Sequence, residues 1–223
     1  MKHCRMKKYL FIILCTFGNI FFADAQTEEY REKNRIAVSG ELTSCDTWQI
    51  DISYHYMLCS YASVGASIGM WKQYTVDGIP KNQGWRIRED NEKVENFYLR
   101  PSICLFSPAI IRFSDGELKV FVEPGMMMNI PYCKVCISLK DSHGMENGYE
   151  YVSSNSGRWH AFDCKMGLFL NLGTIGFSAG YVYSDLDIFA MRRNMVFRGQ
   201  HFSKFYPGRK YLHGGFISMF YNL

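Results

Sequence analysis

Residues 48–58 read WQIDISYHYML, and their alternation indicates the fold class. Bulky apolar and aromatic side chains occupy every second position from Trp48 to Leu58, and the positions between them are mostly polar, including Asp51 and His55. Successive side chains of a β-strand point to opposite sides of a sheet, whereas those of a helix repeat every ~3.6 residues. The stretch therefore predicts a strand with one apolar and one polar face.

The same period of two recurs on both sides of this stretch. The alternating segments predict eight strands, at 36–43, 48–58, 62–70, 97–106, 118–129, 161–171, 174–183 and 211–223. Their lengths are close to the ~9–11 residues that a tilted transmembrane strand needs. The sequence thus predicts an all-β fold of eight antiparallel strands that follow one another up and down.

The connections between these segments alternate between short and long. The long, polar ones lie near 72–95, 131–158 and 186–209. Outer-membrane barrels have short periplasmic turns and long external loops. These three connections are therefore predicted to be external loops, together with the unusually short turn at 44–47.

Two features of the alternating pattern need separate interpretation. The third external loop contains two alternating stretches, Lys134 to Lys140 and Tyr149 to Ser154, which are too short to span a membrane. They predict a hairpin above the membrane, with a ten-stranded barrel as the alternative. Pro101 and Pro124 lie inside predicted strands, and a closed barrel has no edge strand that tolerates a missing N–H. Local bulges are expected at both prolines.

The polar faces indicate which side of the barrel is the inside. A soluble lipocalin-like barrel also alternates, but its polar face meets water and should carry many charges. Here the polar face is mostly Ser, Gly, Thr and Asn, and its few charges nearly balance in sign. Because a buried unpaired charge is costly, these charges are predicted to pair in a network inside the lumen. Its members are Glu41, Asp51, Arg100, Lys119, Glu123, Asp163 and Lys165.

Aromatic residues on the apolar faces support the same assignment. They fall at two levels near the segment ends, where transmembrane barrels carry aromatic girdles at the two membrane interfaces. One level holds Trp48, Phe97, Tyr181, Tyr183 and Tyr211, and the other holds Tyr54, Tyr56 and Tyr221. The sequence therefore predicts a transmembrane barrel with its apolar face outward, and a soluble barrel or sandwich is the alternative.

The N-terminus has the composition of a secretory signal peptide. A basic region precedes an apolar run at 9–22, and Ala23-Asp24-Ala25 is a small-residue cleavage site. The predicted organisation is a signal peptide at 1–25, a short periplasmic lead at 26–34 and the barrel at 35–223. An uncleaved helical anchor is the alternative. Removing four basic residues and one acidic residue with the leader leaves 21 basic and 20 acidic residues, so nothing points to nucleic acid as a partner.

With its leader, its alternation and its ending FISMFYNL at 216–223, the chain resembles the small bacterial outer-membrane β-barrel families, such as the OmpA membrane domain, OmpX and other porin-family barrels. The resemblance covers about residues 35–223. In these families the alternating final strand is read by the barrel-insertion machinery, which the resemblance implies as a partner. Leu223 stands where a terminal aromatic residue is usual, while Met219 and Tyr221 keep the pattern. The resemblance implies the architecture and a location in the bacterial outer membrane, but no activity.

Six cysteines remain after the leader is removed. Cys133 and Cys136 form a C-x-x-C pair in the third external loop, which alone is a weak zinc signal. A disulfide of one of them with Cys45 is possible, because both would lie on the external side. Cys59 is expected at the opposite rim, so a bond to Cys45 is excluded. No metal site and no cofactor is predicted.

The fourth external loop carries two candidate functional features. His201 and Ser203 form a His-x-Ser pair of the kind that outer-membrane lipid A deacylases use, with Ser as nucleophile and His as base. The loop is also basic, with no Asp or Glu from 188 to 210, which suits phosphate groups of lipopolysaccharide. Its cations are Arg192, Arg193, Arg198, Lys204, Arg209 and Lys210.

The sequence favours a non-enzymatic outer-membrane barrel with an envelope-structural or surface-binding, adhesive role through its external loops. An unidentified extracellular ligand is expected beside the lipopolysaccharide of the membrane. A narrow transport pore is the second hypothesis, although eight strands leave an interior filled by side chains. A lipid A acyl hydrolase is the third.

Overall fold

The computed structural model describes residues 33–73, 81–88 and 95–223. The predicted signal peptide and most of the predicted periplasmic lead lie outside these residues. Within them, no helix has the length and apolarity needed to cross a membrane.

Eight long strands form a closed antiparallel barrel, as the sequence predicts. They are β1 (Asn34–Thr43), β2 (Thr47–Cys59), β3 (Ala62–Gln73), β6 (Glu95–Phe106), β8 (Gly116–Asn129), β11 (His160–Leu172), β12 (Ile175–Ser184) and β15 (Leu212–Asn222). Each strand pairs with its neighbours in this order, and the first and last strands pair with each other to close the wall.

Shorter elements lie in the connections. The strands are β4 (Lys81–Asn82), β5 (Trp85–Ile87), β7 (Ile111–Phe113), β9 (Cys133–Lys140), β10 (Glu146–Ser154), β13 (Val196–Phe197) and β14 (Gln200–His201). The described helices are the short α1 (Ala190–Arg193) and the 3-10 helix Phe202–Lys204.

The faces of the strands point as predicted, with the apolar side chains outward. Ile52, Ile68 and Ile217 are 61%, 68% and 70% exposed on the outside of the wall, whereas Asp51 and Arg100 are each 2% exposed on the inside. A soluble barrel would show the reverse. The apolar outer surface of the wall is therefore suited to face lipid. A closed sheet also lets backbone N–H and C=O groups form hydrogen bonds within the wall, as a lipid environment requires.

The predicted hairpin in the third external loop is confirmed. β9 and β10 pair with each other and not with the barrel wall, so the barrel has eight strands and the ten-stranded alternative is wrong. β9 also pairs with β5, and β5 with β4, which gives a second, four-stranded sheet at the end of the barrel that carries the long connections. The outer-membrane pattern assigns this end to the cell exterior.

This second sheet, called the cap sheet below, covers the external mouth of the barrel. One of its faces is apolar and shares a buried cluster with the upper barrel wall and with the fourth external loop. From the sheet come Trp85, Ile87, Val135 and Ile137; from the wall come Trp71, Tyr98, Met127, Ala161 and Leu212; and from the loop come Leu186, Ile188, Phe189, Met191, Met195 and Phe202. This cluster is called the upper plug.

The expected bulges at Pro101 and Pro124 are absent. The pairing of β6 with β8 keeps one register from Tyr98 to Phe106, but it is interrupted around both prolines. A proline lacks the N–H that its partner carbonyl would accept, so hydrogen bonds are lost there. Both strands also pair on their other sides, with β3 and β11, and these pairings hold the register without an inserted residue.

Candidate functional site

The centre of the lumen holds a layer of buried ion pairs, called the ion-pair layer. Arg100 is its main donor. Its Nη1 lies 2.5 Å from Glu123 Oε1, and its Nε lies 2.6 Å from Asp163 Oδ2. A third bond runs from Nη2 to the backbone carbonyl of Glu123 at 3.1 Å. One guanidinium thus ties together the inward faces of β6, β8 and β11.

Lys165 forms the other half of this layer. Its Nζ lies 2.7 Å from Glu41 Oε1 and 3.1 Å from Asp51 Oδ2. The hydroxyl of Tyr98 donates to the same oxygen of Asp51 at 3.2 Å. Two cations therefore contact four carboxylates, and these side chains come from β1, β2, β6, β8 and β11.

Glycines on the inner face make room for these long side chains. A Cβ at Gly125 would come within 2.6 Å of the guanidinium of Arg100, and one at Gly69 within 2.5 Å of the ring of Tyr98. Since real side chains do not approach so closely, the absence of a side chain at these positions lets the ion-pair layer fill the lumen.

Lys119 is the predicted member that lies apart from this layer. Its Nζ pairs with Glu117 at 2.6 Å, two residues earlier on the same strand. Lys119 lies on the inner side of β8, where it is 8% exposed. It lies nearer the periplasmic end than Glu123, however, so it does not reach the other six groups.

Below the ion-pair layer, five phenylalanines form an aromatic cluster called the lower plug. Phe169 and Phe220 stack at 4.4 Å between ring centroids, and Phe106 meets Phe169 edge to face at 4.9 Å. The guanidinium of Arg35 lies over these rings, 4.5 Å from the centroid of Phe169, and its Nε donates to Asn222 at 2.9 Å. The remaining members are Phe121 and Phe216.

The lumen is consequently closed at three levels, by the upper plug, the ion-pair layer and the lower plug. Between the last two lies a cavity of about 40 Å³, lined by Asp51, His55 and Arg100 among others. This is room for a few water molecules, because one needs roughly 10–15 Å³.

The fourth external loop does not expose all of its predicted basic residues. Arg192 is fully buried, donates to Gln73 Oε1 at 3.0 Å and lies over Tyr206. Counter-charges come from outside the stretch 188–210. The pairs are Arg193 with Asp187 at 2.5 Å, Arg198 with Glu150 at 2.6 Å and Arg209 with Asp185 at 2.9 Å.

Lys204 and Lys210 complete the predicted basic set. Their ammonium groups lie 5.3 Å and 5.9 Å from the ring centroids of Phe205 and Phe189. Both lysines are exposed at the external end. Lipid phosphate could therefore reach them and the outer guanidinium of Arg209, but not Arg192.

His201 and Ser203 both lie at the exposed surface of the same loop. His201 ends β14, and Ser203 lies in the 3-10 helix that follows. Among the hydrogen bonds of the described chain, none joins the imidazole to the hydroxyl. The two residues are close in sequence, but their side chains form no nucleophile–base hydrogen bond in the structure.

The cysteines of the described chain are thiols, and no disulfide joins Cys45 to Cys133 or Cys136. Cys133 and Cys136 are buried in β9 and Cys104 in the lower lumen. No three His, Cys, Asp or Glu side chains in the described ranges are arranged to hold a metal ion.

Sequence reasoning predicted an interior filled by side chains but missed which residues form the upper and lower plugs. It also missed the cap sheet that the hairpin forms with β4 and β5. The phenylalanines of the lower plug do stand at inward positions of the alternation, so their sequence parity could have predicted an aromatic closure. The apolar residues of the fourth loop, such as Ile188, Phe189 and Met191, have no simple period and lie in a connection that reads as polar overall.

No family model matches the chain, and no curated protein matches its sequence. Several solved structures are similar over most of its length. A major outer membrane protein from Thermus thermophilus is 8% identical, with a TM-score of 0.45, and the match covers 87% of this chain and 100% of that one. Neisserial surface protein A is 10% identical, with a TM-score of 0.44 and coverage of 85% and 96%.

The N-terminal β-barrel domain of OprF from Pseudomonas aeruginosa is also similar. It is 9% identical, with a TM-score of 0.43, and the match covers 86% of this chain and 98% of that one. At such identities the likeness concerns the fold and carries no information about activity or ligand.

Proposed function

We propose that this protein is a non-enzymatic barrel of the bacterial outer membrane that acts at the cell surface through its folded external loops. The observation that carries the proposal is the closure of the lumen at three levels beneath a cap sheet that is packed onto the external mouth. A side-chain-filled interior suits a structural or binding role better than transport. The apolar outer wall supports the membrane location.

The cap sheet is a folded surface rather than a set of mobile loops. Its hairpin, the neighbouring strand β5 and the fourth loop share the upper plug, so their relative positions are fixed by a common core. A rigid surface loses less conformational entropy on binding than a flexible loop does. This arrangement supports surface binding or adhesion as the role of the external end.

The test is binding of the purified, detergent-folded protein to an array of glycans and extracellular matrix molecules. In the variant, residues 133–154 are replaced by a short Gly-Ser linker, and its folding is checked by circular dichroism and heat-modifiable gel mobility. We expect the parent to bind at least one molecule of the array and the variant to lose that binding.

The matched control shortens the connection at the other end of the barrel, between Pro108 and Asp115, and should leave binding unchanged. Equal binding by the parent and the hairpin variant would contradict a role for the cap sheet. Release of fatty acid from lipid A by the parent, abolished in Ser203→Ala, would overturn the non-enzymatic assignment.

A further inference from the structure

The cap sheet has two unlike faces, and the one that points away from the barrel carries the inference. In the register of the sheet, Arg86 of β5 lies opposite Ser138 of β9, which lies opposite Tyr149 of β10. In the next row Cys136 lies opposite Tyr151. The side chains of alternate residues, such as Ile87 and Ile137, are buried in the upper plug. The row of Arg86 and Tyr149 therefore faces the cell exterior.

This outward face is strongly basic. Its described part carries four cations, and one of them, Arg86, pairs with Glu146, whose Oε1 lies 3.3 Å from Arg86 Nη2. Both partners of this pair are well exposed, at 50% and 38% of their side chains, so their pairing leaves both accessible. The four cations are Lys81, Arg86, Arg88 and Lys134.

The same face presents two tyrosine rings to solvent. Tyr149 is 51% exposed and Tyr151 is 65% exposed. Lys134 Nζ lies 4.5 Å from the centroid of Tyr151, and the guanidinium of Arg88 lies 5.2 Å from that of Tyr149. Each ring thus has a cation beside it. The small side chains of Ser138 and Cys136, which are buried, lie in the same rows between the cations of β5 and the tyrosines of β10.

We propose that this face binds an acidic polysaccharide from outside the cell, one that carries sulfate or carboxylate groups. Guanidinium and ammonium groups bind such anions through charge-assisted hydrogen bonds. Rigid, exposed tyrosines offer flat apolar area for the C–H faces of sugar rings. The inference rests on the proposed surface role and names the ligand class for it.

The position of the face selects this occupant over lipid. Its reverse side is packed on the mouth of the barrel, so the cations lie on the top of the molecule, whereas lipid phosphates surround the barrel wall below. Lys204, Arg209 and Lys210 of the fourth loop belong to a different part of the external end. Replacing these three residues therefore removes three positive charges at a different place, which serves as a comparison for the test variant described next.

The experiment measures binding of the full, folded protein in detergent to a heparin oligosaccharide, used as a sulfated probe, and to the same oligosaccharide after desulfation. In the test variant Arg86, Arg88 and Lys134 are replaced together by Ser. Losing several charge-assisted contacts should weaken heparin binding by at least about tenfold. It should also flatten the dependence of affinity on salt, because fewer screened charges take part.

Two control comparisons make the result specific. The variant with Lys204→Ser, Arg209→Ser and Lys210→Ser should bind heparin within about twofold of the parent, since it has lost as many charges elsewhere. A Tyr149→Ser, Tyr151→Ser variant keeps the net charge and should still lose several-fold in affinity, and Tyr132→Ser at the rim should not. Arg88 is half-buried and the other substituted side chains are exposed, so gel mobility should show folded barrels.

Equal heparin affinity for the parent and the Arg86, Arg88, Lys134 variant would overturn the inference. Equal affinity for heparin and for desulfated heparin would also overturn it. So would binding of a single-stranded DNA oligonucleotide with the same affinity as heparin, if that binding did not depend on Tyr149 and Tyr151. Stronger dependence on the fourth-loop set, with lipid A vesicles as the preferred probe, would transfer the role to lipid phosphate. If hairpin excision abolishes array binding but these substitutions change nothing, only this inference fails and the surface role stands.

Discussion

Arg100 shows at the scale of one residue why the lumen is closed. Its guanidinium is 2% exposed and binds two carboxylates and a backbone carbonyl from two neighbouring strands of the wall. Replacing it with Ala would leave Glu123 and Asp163 buried without their cation. Breaking a buried pair in this way costs about 3–5 kcal/mol, so Arg100→Ala should lower the free energy of unfolding by that amount.

The measurement is urea unfolding of the barrel in lipid vesicles, followed by tryptophan fluorescence. Arg86→Ala serves as the control, because this exposed pair contributes only about 0–1 kcal/mol. Lys165→Ala should behave like Arg100→Ala, because it would leave the carboxylates of Glu41 and Asp51 buried without their cation. Equal, negligible losses at Arg100 and Arg86 would mean that the inner and outer faces are assigned wrongly.

Single residues also show how far sequence alone could reach into the candidate site. Alternation placed all seven predicted lumen charges on the inner face, because the side-chain period of a strand is two. It could not state which of them pair, since the stagger between strands decides which inward residues share a level. Lys119 lies on the inner face, but at a different height along the barrel axis from the ion-pair layer, and it pairs with Glu117 instead.

At the scale of elements, the seam between β6 and β8 has the fewest paired residues of the wall. The bond from the Ile130 N–H to the Phe97 carbonyl marks the hydrogen-bonded phase of this ladder, and Pro101 and Pro124 lie in the same phase. Each proline therefore withholds one N–H from a carbonyl on the facing strand. Because lipid offers no replacement donor, the lost bonds matter more here than at a solvated edge.

Pro101→Ala is predicted to strengthen this seam. The new N–H can donate to the carbonyl of Met126, which is worth about 0.5–1.5 kcal/mol and more in lipid. The greater freedom of the unfolded chain opposes this by about 0.4–1 kcal/mol. The net effect should be slower amide hydrogen exchange along β6 and an unchanged or higher urea midpoint.

Pro108→Ala is the matched control, because Pro108 is exposed in a connection and no ladder bond is available there. It should lower the midpoint slightly. If Pro101→Ala lowers the midpoint as much as Pro108→Ala does, then the interruption around the prolines is not caused by the missing N–H groups.

The elements that sequence could predict are those with a simple period. The eight strands and the β9–β10 hairpin alternate, so the order of their residues alone predicts their existence and type. The packing of the fourth loop into the mouth has no such signal, because Leu186, Ile188 and Phe189 gain their burial from partners far away in the chain. The basic residues of this loop were visible in the sequence, but their acidic partners could not be predicted. Glu150 and Asp185 lie outside the loop, and Asp187 comes just before its basic stretch.

At the scale of the whole molecule, the two ends of the membrane barrel have different chemistry. The periplasmic half is closed by aromatic rings and Arg35, and the external half is closed by the upper plug and roofed by the cap sheet. The outward face of that sheet is basic and aromatic, whereas the outer surface of the barrel wall is apolar. The proposed function expects a binding surface at the external end and no passage between the two ends.

The most direct test of the closed lumen is planar-bilayer recording of the purified, folded protein. We expect no steady conductance in 1 M KCl, because the upper plug, the ion-pair layer and the lower plug each close the lumen. A brief, irregular current in Arg100→Ala but not in the parent would agree with this closure. Stable, large and reproducible channels from the parent protein would contradict the closed lumen and favour transport.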